Sequence, residues 1–567
     1  MTSPAVNITG AFEALVAAQD VGLLGVSGIP QAHVKPGELL GLLTELKDER
    51  GFTHLSLLTA SERPAENPGV TMVYSVTRWS DNLLAVVFVD LDDESLRIPT
   101  ISGLWPGAAP LEREVYDLFG IVFTGHPNLR RIVLRDDFEG HPLRKGFEMP
   151  SAGVSRERVA WSLASHGDDG PALQPEMSVP ADVVPLPYPA VEEAAQAPGD
   201  PVLQTDRLLL NMGPVHPSMH GVLHLWLALE GETIVAAEAT HGYLHRCIEK
   251  LCETRSYRAC TAMADRSDYV SGFHTELALL SCVEELMEIE VPAKAQYLRV
   301  LMGELCRITS HHTWFAACGL DLGAYTPFLF SFRDREAIAD FYEEVTGGRM
   351  MFNYFRPGGV KDDLPPGAAQ RLRTFLEGVP ASIDGFEALL TTNEIFTNRT
   401  RGVGVISPQM IVDYYVTGPM ARSSGVDIDL RRDEPYAAYS DFDIQVPLGQ
   451  RGDTFDRYAV RIAEMRESTR LALQALDGMP EGDFVNPDVP RAIRPPAGAA
   501  YRRVESPRGE LGVYLESDGT AQPWRMKIRS PAFSNLHVTP AVLPGQRMGD
   551  IIAIMGSIDI VMGEIDR

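Results

Sequence analysis

The sequence predicts an α+β protein in which a small N-terminal α/β domain is linked to a larger, mainly helical domain that begins with a short β-meander. The chain has 567 residues, of which 45% are hydrophobic, so it can bury a sizeable core in two or three domains. A segment rich in Pro, Ala and acidic residues separates strand-like patterns from a region where helical periodicity prevails.

The first domain is assigned to residues 1–165, where strand and helix patterns are mixed. Residues 53–58 and 72–78 are strand-like, and residues 83–91 form an apolar run built largely of Leu and Val. This combination is typical of a small α/β domain.

The connector is assigned to residues 166–203. It contains many Pro, Ala, Gly, Asp and Glu residues and has little periodicity, a composition that predicts an extended or disordered linker. The second domain is therefore assigned to residues 204–567.

The second domain begins with three strand-like runs at 208–212, 222–229 and 233–239, which predict the β-meander. Between residues 269 and 344, apolar side chains recur at steps of three and four, a pattern that predicts long helices packed as a bundle.

Two further patterns complete the second domain. One more helix is predicted over about 455–476. The region from residue 501 onward is Gly-rich and strand-like up to the apolar stretch at 551–555.

Charge and cysteine content exclude several classes of protein. The formal net charge of −27 argues against binding to nucleic acid, because a phosphate backbone attracts Lys and Arg surfaces. No apolar run approaches the roughly 18 residues that span a bilayer, so we expect a soluble chain that can still sit on a membrane complex. The six cysteines lie in one stretch, at 247, 252, 260, 282, 306 and 318, which favours a reducing cytoplasm over a disulfide framework.

His216 and His220 lie in the motif GPVHPSMHG, four residues apart. On a helix this spacing would suit a metal pair, but the flanking Gly and Pro residues favour a hairpin loop. Spacing alone leaves two interpretations, since the imidazoles either cap a turn or deliver a proton to a reduced substrate.

Longer motifs identify a family. The second domain resembles the D (49 kDa type) subunit of complex I over essentially all of 204–567, through segments that occur in order: GPVHPSMHGVLHLWLALEGE, HRCIEKLCE, DRSDYVS, GLDLGAYTPFLFSFRDRE, MFNYFRPGGVKDDLP, SGVDIDLR and SIDIVMGEIDR. The first domain resembles the C (30 kDa type) subunit through EREVYDLFGIVFTGHPNLRRIVLRDDFEGHPLRK at 112–145. Without the family, this signature predicts a helical turn and two Gly-His-Pro turns with structural roles.

The D-type protein of complex I is related to the large subunit of nickel-iron hydrogenases, whose metal is held by four cysteine thiolates. The matching positions in this chain are Asp268, Ser271, Val561 and Glu564, so the resemblance implies that no metal is bound here. The six cysteines that remain have the wrong spacing for that site, and their helical pattern favours structural packing.

The resemblance implies that the vacated cavity receives a quinone head group. His220 and Tyr269 match the family residues that hydrogen-bond the quinone oxygens, and reduced quinone needs two protons that an imidazole and a phenol can donate. Asp321 matches the carboxylate that pairs with this histidine and would favour its imidazolium form.

Electrons are expected from an iron-sulfur cluster in a neighbouring subunit, and Arg246 resembles an arginine that faces that cluster. The partners implied are a B-type iron-sulfur subunit, an I-type ferredoxin-like subunit and an H-type membrane subunit. The resemblance places the chain on the cytoplasmic side of the cell membrane as a peripheral subunit of a proton-pumping NADH:quinone oxidoreductase. It leaves open the quinone species and whether NADH, F420H2 or ferredoxin supplies the electrons.

Two residues depart from the family pattern. Cys247 stands where the family usually has Gly, and Met351 stands where many members have a histidine thought to make the cluster potential pH-dependent. We therefore predict a pH-insensitive, low-potential cluster, and an EPR titration in which the potential moves with pH would refute this.

Two other functions remain open from the sequence. One is an energy-converting hydrogenase subunit, which nickel in stoichiometric amount would support. The other is a scaffold without a working quinone pocket, which unchanged quinone reduction after replacement of His220 and Tyr269 would support.

Overall fold

The computed structural model describes residues 29–147, 207–214 and 221–567. The predicted linker and both His216 and His220 lie outside the described residues, so the predictions made for them stay predictions. The assignment of domain boundaries also stays a prediction.

A four-stranded sheet forms the centre of the N-terminal part. Its strand order is β1-β4-β3-β2, with β1 parallel to β4 and the other pairs antiparallel. The apolar sequence of β4 is buried along almost its whole length, as expected for a strand that is covered on both faces. The elements are β1 (Gln31–Val34), α1 (Leu39–Asp48), β2 (His54–Glu62), β3 (Val70–Arg78), β4 (Leu83–Leu91), β5 (Arg97–Pro99), α2 (Ala108–Phe119) and β6 (Val122–Thr124).

The signature at 112–145 has structural roles, as its sequence indicates. Asp117 of α2 is fully buried, and its Oδ2 accepts three backbone N–H groups, from Ile132 at 3.0 Å and from Val133 and Leu134 at 2.9 Å. Gly125 and Gly140, which open the two Gly-His-Pro turns, have φ angles of 83° and 86°, where only glycine is free of strain. One carboxylate therefore fixes the loop that follows the helix.

The predicted β-meander is confirmed. Strands β7 (Arg207–Met212), β8 (His224–Glu230) and β9 (Thr233–Thr240) form an antiparallel sheet in that order. The turn between β7 and β8 belongs to the motif that contains the two histidines.

Long helices form the core of the C-terminal part, as the apolar periodicity predicts. The central helix α6 is 29 residues long and packs against α5, α7, α13 and α16. The helices are α3 (Ile248–Cys252), α4 (Tyr257–Ala264), α5 (Gly272–Leu286), α6 (Ala293–Asp321), α7 (Tyr325–Thr346), α8 (Ala368–Leu390), α9 (Glu394–Thr400), α10 (Pro408–Asp413), α11 (Pro419–Ser423), α12 (Leu430–Asp433), α13 (Thr454–Gly478), α14 (Pro531–Leu536), α15 (Thr539–Val542), α16 (Ile551–Ile558) and α17 (Met562–Asp566).

Five more strands complete the fold. Strands β10 (Phe355–Arg356) and β11 (Gly359–Val360) form a small hairpin, and β12 (Gly498–Ser506), β13 (Gly509–Ser517) and β14 (Arg525–Arg529) form a three-stranded antiparallel sheet. None of the helices within the described ranges has the length and hydropathy needed to cross a membrane.

The N-terminal sheet packs face to face against the sheet of β12 to β14. Val73 and Phe88 on one side contact Tyr501 and Tyr514 on the other, and all four side chains are buried. This contact explains why the strands of both sheets lack an exposed polar face.

Buried ion pairs lie at one edge of this contact. Glu114 of α2 accepts from Lys527 of β14 and from Arg567, each at 2.6 Å. Glu249 of α3 pairs with Arg525 at 2.9 Å and lies 3.4 Å from Lys527. Two carboxylates thus compensate three buried cations.

We expect Glu114→Gln to lower the free energy of unfolding by about 3–5 kcal/mol, because it leaves three buried cations with one carboxylate. Chemical denaturation of the purified chain measures the loss. The control is Glu49→Gln at an exposed position, which should change stability by less than about 0.5 kcal/mol. Equal stabilities of the two variants would contradict the role of Glu114 in compensating the buried cations.

Candidate functional site

Tyr269 lies in the loop between α4 and α5 and is half-buried against residues 557–567, which we call the C-terminal segment. A Cβ added to Gly563 would stand 3.2 Å from Cε1 of the Tyr269 ring and 2.9 Å from the carbonyl oxygen of Ser267. The absence of a side chain at Gly563 therefore allows the ring to pack there. The loop and the C-terminal segment, which are two separate motifs in the sequence, meet at this point.

Hydrogen bonds within the loop fix the direction of the residues around Tyr269. The backbone N–H of Ser271 donates to the carbonyl of Asp268 at 3.0 Å, and the N–H of Val270 donates to Asp268 Oδ1 at 3.3 Å. Ser271 Oγ lies 2.7 Å from His274 Nδ1 in the first turn of α5. The loop is a tight turn, which holds the carboxylate of Asp268 in the interior.

One guanidinium connects both motifs. Arg508 lies at the tip of the β12–β13 hairpin, is buried, and pairs with Asp268, with Glu564 (Nε to Oε2, 3.1 Å) and with Asp559 (Nη1 to Oδ2, 3.7 Å). Its Nη1 also donates to Ser310 Oγ of α6 at 3.1 Å. We call Asp268, Arg508, Asp559 and Glu564 the Arg508 cluster.

Burial changes the protonation of the Arg508 cluster. It raises the pKa of Asp559 to about 6 and that of Glu564 to about 7, although the positive charge of Arg508 opposes both shifts. The carboxylates around Arg508 hold its own pKa above the usual range. The cluster can therefore exchange a proton near neutral pH.

Tyr269 is affected by the same groups. Burial raises the pKa of its phenol, the negative charges of Asp268 and Asp559 raise it further, and the positive charge of Arg508 acts in the opposite direction. The phenol is therefore protonated at neutral pH and can donate a proton or a hydrogen bond.

The four positions that the sequence predicts to correspond to hydrogenase thiolates lie in this region. Asp268 and Glu564 contact the same guanidinium, Ser271 bonds to His274, and Val561 is buried. Among residues 29–147, 207–214 and 221–567, no group of three or more His, Cys, Asp or Glu side chains has the arrangement of a metal site.

The cysteines near the site are buried thiols. Burial raises the pKa of Cys306 and of Cys318 to about 12, so both are neutral at physiological pH. Cys252, Cys260 and Cys282 are also buried, and Cys247 alone of the six is half-buried. Five of the six thus pack as their helical pattern indicates.

Asp321 is the last residue of α6 and is half-buried. Its Oδ2 lies 3.7 Å from the point where a Cβ on Gly556 of α16 would stand. The negative charges of Asp321 and Asp559 both raise the pKa of the Cys318 thiol, so the two carboxylates lie on the same region of the fold. The pairing of Asp321 with His220 stays a prediction, because His220 lies outside the described residues.

Arg246 is exposed in the turn that precedes α3. The C-terminal segment holds this turn, because Asp566 accepts from the N–H groups of Gly242 and Leu244 at 2.8 Å and bonds to His241 Nδ1 at 2.9 Å. An exposed cation is thus presented by a backbone that the C-terminal segment fixes.

Cys247 follows Arg246 with a φ of 53°, in the left-handed region. This conformation gives a physical reason why glycine is usual at this position in the family that the sequence resembles. The thiol lies 3.2 Å from His245 Nε2. Met351, the other departure, also has a positive φ, of 59°, and is half-buried after α7. Its effect on a partner's cluster stays a prediction.

Arg508 is the residue that sequence reasoning missed. In the sequence SPRGE it has the pattern of an exposed hairpin turn, and no local signal distinguishes it from a surface arginine. The contacts that bury it come from segments about 240 and 56 residues away in the chain.

Comparison with known proteins gives matches in both parts of the chain. Residues 32–152 match the family model described as the 30 kDa subunit of the respiratory-chain NADH dehydrogenase, and residues 321–567 match the one described as its 49 kDa subunit.

Two relatives named as C/D proteins match along nearly the whole chain, and a relative named as a D protein matches part of it. The C/D 2 protein of the NADH-quinone oxidoreductase from Aquifex aeolicus is 37% identical over 555 residues, covering 93% of each protein. The C/D protein of the same enzyme from Nitrosospira multiformis is 37% identical, covering 92% of this chain and 88% of the relative. The D protein from Geotalea uraniireducens is 45% identical, covering 64% of this chain and 99% of the relative.

We expect Cys247→Gly to raise the free energy of unfolding by up to about 1 kcal/mol, because glycine adopts a left-handed backbone without strain. Chemical denaturation measures the change. Cys247→Ala is the matched control, since it also removes the thiol but keeps the strained Cβ, and it should give no gain. A gain of equal size in both variants would show that the thiol, and not the backbone, is responsible.

Proposed function

Because the chain belongs to the family of fused C/D subunits of NADH-quinone oxidoreductase, we propose that its D-type part forms the quinone reduction site of such a complex. Electrons pass one at a time from the terminal iron-sulfur cluster of a partner subunit to the quinone. The observation that carries the proposal is the protonated, half-buried phenol of Tyr269, which packs on Gly563 beside the Arg508 cluster.

The chemistry of the site fits this reaction. Reduction of quinone to quinol takes two electrons and two protons, and a phenol with a raised pKa supplies one proton to a quinone oxygen. His220 supplies the second, with Asp321 as its partner and as the group that responds when the proton leaves. We propose this change of charge as the trigger for proton pumping in the membrane arm.

The other subunits of the complex are the partners of this chain. We assign the source of electrons to the B-type iron-sulfur subunit, and the I-type ferredoxin-like and H-type membrane subunits to the same assembly. The exposed guanidinium of Arg246 supports a position facing the cluster, where a cation stabilises the reduced form. The peripheral position on the cytoplasmic side of the membrane and the division at 1–165, 166–203 and 204–567 belong to this proposal.

The side chains available as metal ligands disfavour the alternative that the chain is a hydrogenase subunit. In the relation to nickel-iron hydrogenases that we propose, the four thiolate positions hold two carboxylates, a hydroxyl and an alkyl side chain. A guanidinium pairs with both carboxylates. The metal site of the hydrogenases is held by soft thiolates, which suit nickel and iron and which this set does not provide.

We expect Tyr269→Phe and His220→Gln to lower quinone reduction in the assembled complex by about 10²-fold or more, since each removes a proton donor. The control is Tyr297→Phe, which removes the hydroxyl of a half-buried tyrosine that donates to Asp441 at 3.1 Å. Steady-state kinetics with a short-chain quinone measures the effect. Full activity of both site variants would support the scaffold alternative instead.

We expect Gly563→Ala to lower quinone reduction by about 10²-fold, because the added Cβ displaces the ring of Tyr269. The matched control is Gly549→Ala in the same C-terminal region, where a Cβ meets no atom within 4 Å. The rate and the yield of assembled complex are measured together. Wild-type activity in Gly563→Ala would show that the contact does not position the phenol.

A further inference from the structure

Two carboxyl groups outside the Arg508 cluster, those of Asp265 and Glu276, are completely buried. Asp265 directly follows α4, and Glu276 lies in the second turn of α5. Neither forms an ion pair with a residue in the part of the chain that the structure describes. Both carboxyls therefore need another explanation for their place in the interior.

Three consecutive backbone N–H groups hold the two carboxyls next to each other. The N–H of Asn353 donates to Asp265 Oδ2 at 3.2 Å. Those of Tyr354 and Phe355 donate to Glu276 Oε2, at 3.1 Å and 2.8 Å. Since neighbouring Cα atoms are about 3.8 Å apart, donors on consecutive residues bring the two carboxyls into one place.

Gly272, the first residue of α5, provides the space in which the carboxyls meet. A Cβ added to Gly272 would overlap Asp265 Oδ1. Glu276 is four residues further along the same face of α5, and its side chain leans back toward Gly272 because helical side chains point to the N-terminus. A hydrogen bond to Glu276 also lowers the pKa of Asp265. The two side chains are thus in direct contact.

The other oxygen of each carboxyl has no donor. Asp265 Oδ1 and Glu276 Oε1 are buried and lack a hydrogen-bond partner within the described ranges. Two ionised carboxylates in contact would repel each other, and each would leave an unpaired oxygen in the interior. A single proton between them turns one carboxyl into a donor to the other and removes both costs.

The surrounding charges do not replace this proton. They include Arg258 of α4, Arg266 and Asp268 of the loop, Arg356 of β10 and, in α6, Arg299, which is paired with Glu284 at 2.6 Å. Arg266 is exposed, and Arg356 donates to Asn353 Oδ1 at 2.6 Å. Burial prevails over these cations, because it raises the pKa of Asp265 to about 6 and that of Glu276 well above its ordinary value.

We propose that Asp265 and Glu276 form an acid pair that shares one proton and closes the loop that carries Tyr269. Residues 266–271 connect Asp265 to Gly272, so the contact over Gly272 holds the two ends of this short loop together. The pair does not touch quinone. Its members are positioning residues for the phenol, and this role rests on the proposed function, whereas the shared proton does not.

Opening of the loop releases the shared proton, because carboxyls that reach water regain ordinary pKa values. A raised pKa in the closed state favours closure at low pH and weakens it as the pH rises. Between about pH 5 and pH 7, each pH unit should make opening about tenfold more favourable. Hydrogen exchange in the assembled complex, corrected for the intrinsic exchange rate, measures this at the N–H groups of Ser271, Asn353, Tyr354 and Phe355.

Two isosteric variants test whether the proton is shared. Asp265→Asn and Glu276→Gln each supply an amide N–H in place of the proton but nothing that titrates, so exchange at these groups should lose its pH dependence. The control is Glu112→Gln, which removes a different buried acid, with a pKa raised by burial to about 8, and should keep the wild-type pH dependence. Exchange that is independent of pH in the wild type, or that still depends on pH in either variant, would overturn the shared proton.

A larger substitution tests the positioning role. Glu276→Ala removes the contact, so exchange at Ser271 should become faster and turnover of a short-chain quinone should fall by about tenfold. Glu276→Gln, which restores a hydrogen bond, should restore most of the turnover, and the yield of assembled complex is measured for both. Unchanged exchange at Ser271 in Glu276→Ala would overturn the closure of the loop. Faster exchange with unchanged turnover would instead refute the proposed function of Tyr269.

Discussion

The site depends on one buried guanidinium that is compensated by carboxylates from separate parts of the chain. Arg508 joins Asp268, in the loop before α5, to Asp559 and Glu564, in the C-terminal segment. A buried charge of this kind is tolerated only when it is paired, and loss of one partner costs about 3–5 kcal/mol. The phenol of Tyr269 owes its position to the convergence of these segments.

The C-terminal segment also makes contacts that hold other regions of the molecule in place. Asp566 fixes the turn that presents Arg246, Gly563 leaves room for the ring of Tyr269, and Arg567 pairs with Glu114 of the N-terminal part. The proposed site and the contact between the two sheets are thus held by residues only a few positions apart.

Local patterns predicted much of the fold, because periodicity reports which face of an element is buried. The β-meander, the long helices after residue 269 and the helix α13 were found in this way. Tyr269 was predicted as a site residue from the motif DRSDYVS. Cys247 stands where the family usually has glycine, and this position has a positive φ. Arg508 and the contact between the two sheets could not be found, since both depend on residues hundreds of positions apart that no local pattern relates.

The most direct test of the proposed quinone site is a map of the assembled complex with a quinone or a head-group inhibitor bound. We predict a head group within hydrogen-bond distance of the Tyr269 hydroxyl, with the Arg508 cluster directly behind the phenol and His220 at the opposite oxygen. A head group bound elsewhere, or a Tyr269 hydroxyl that no opening connects to His220, would contradict the proposal.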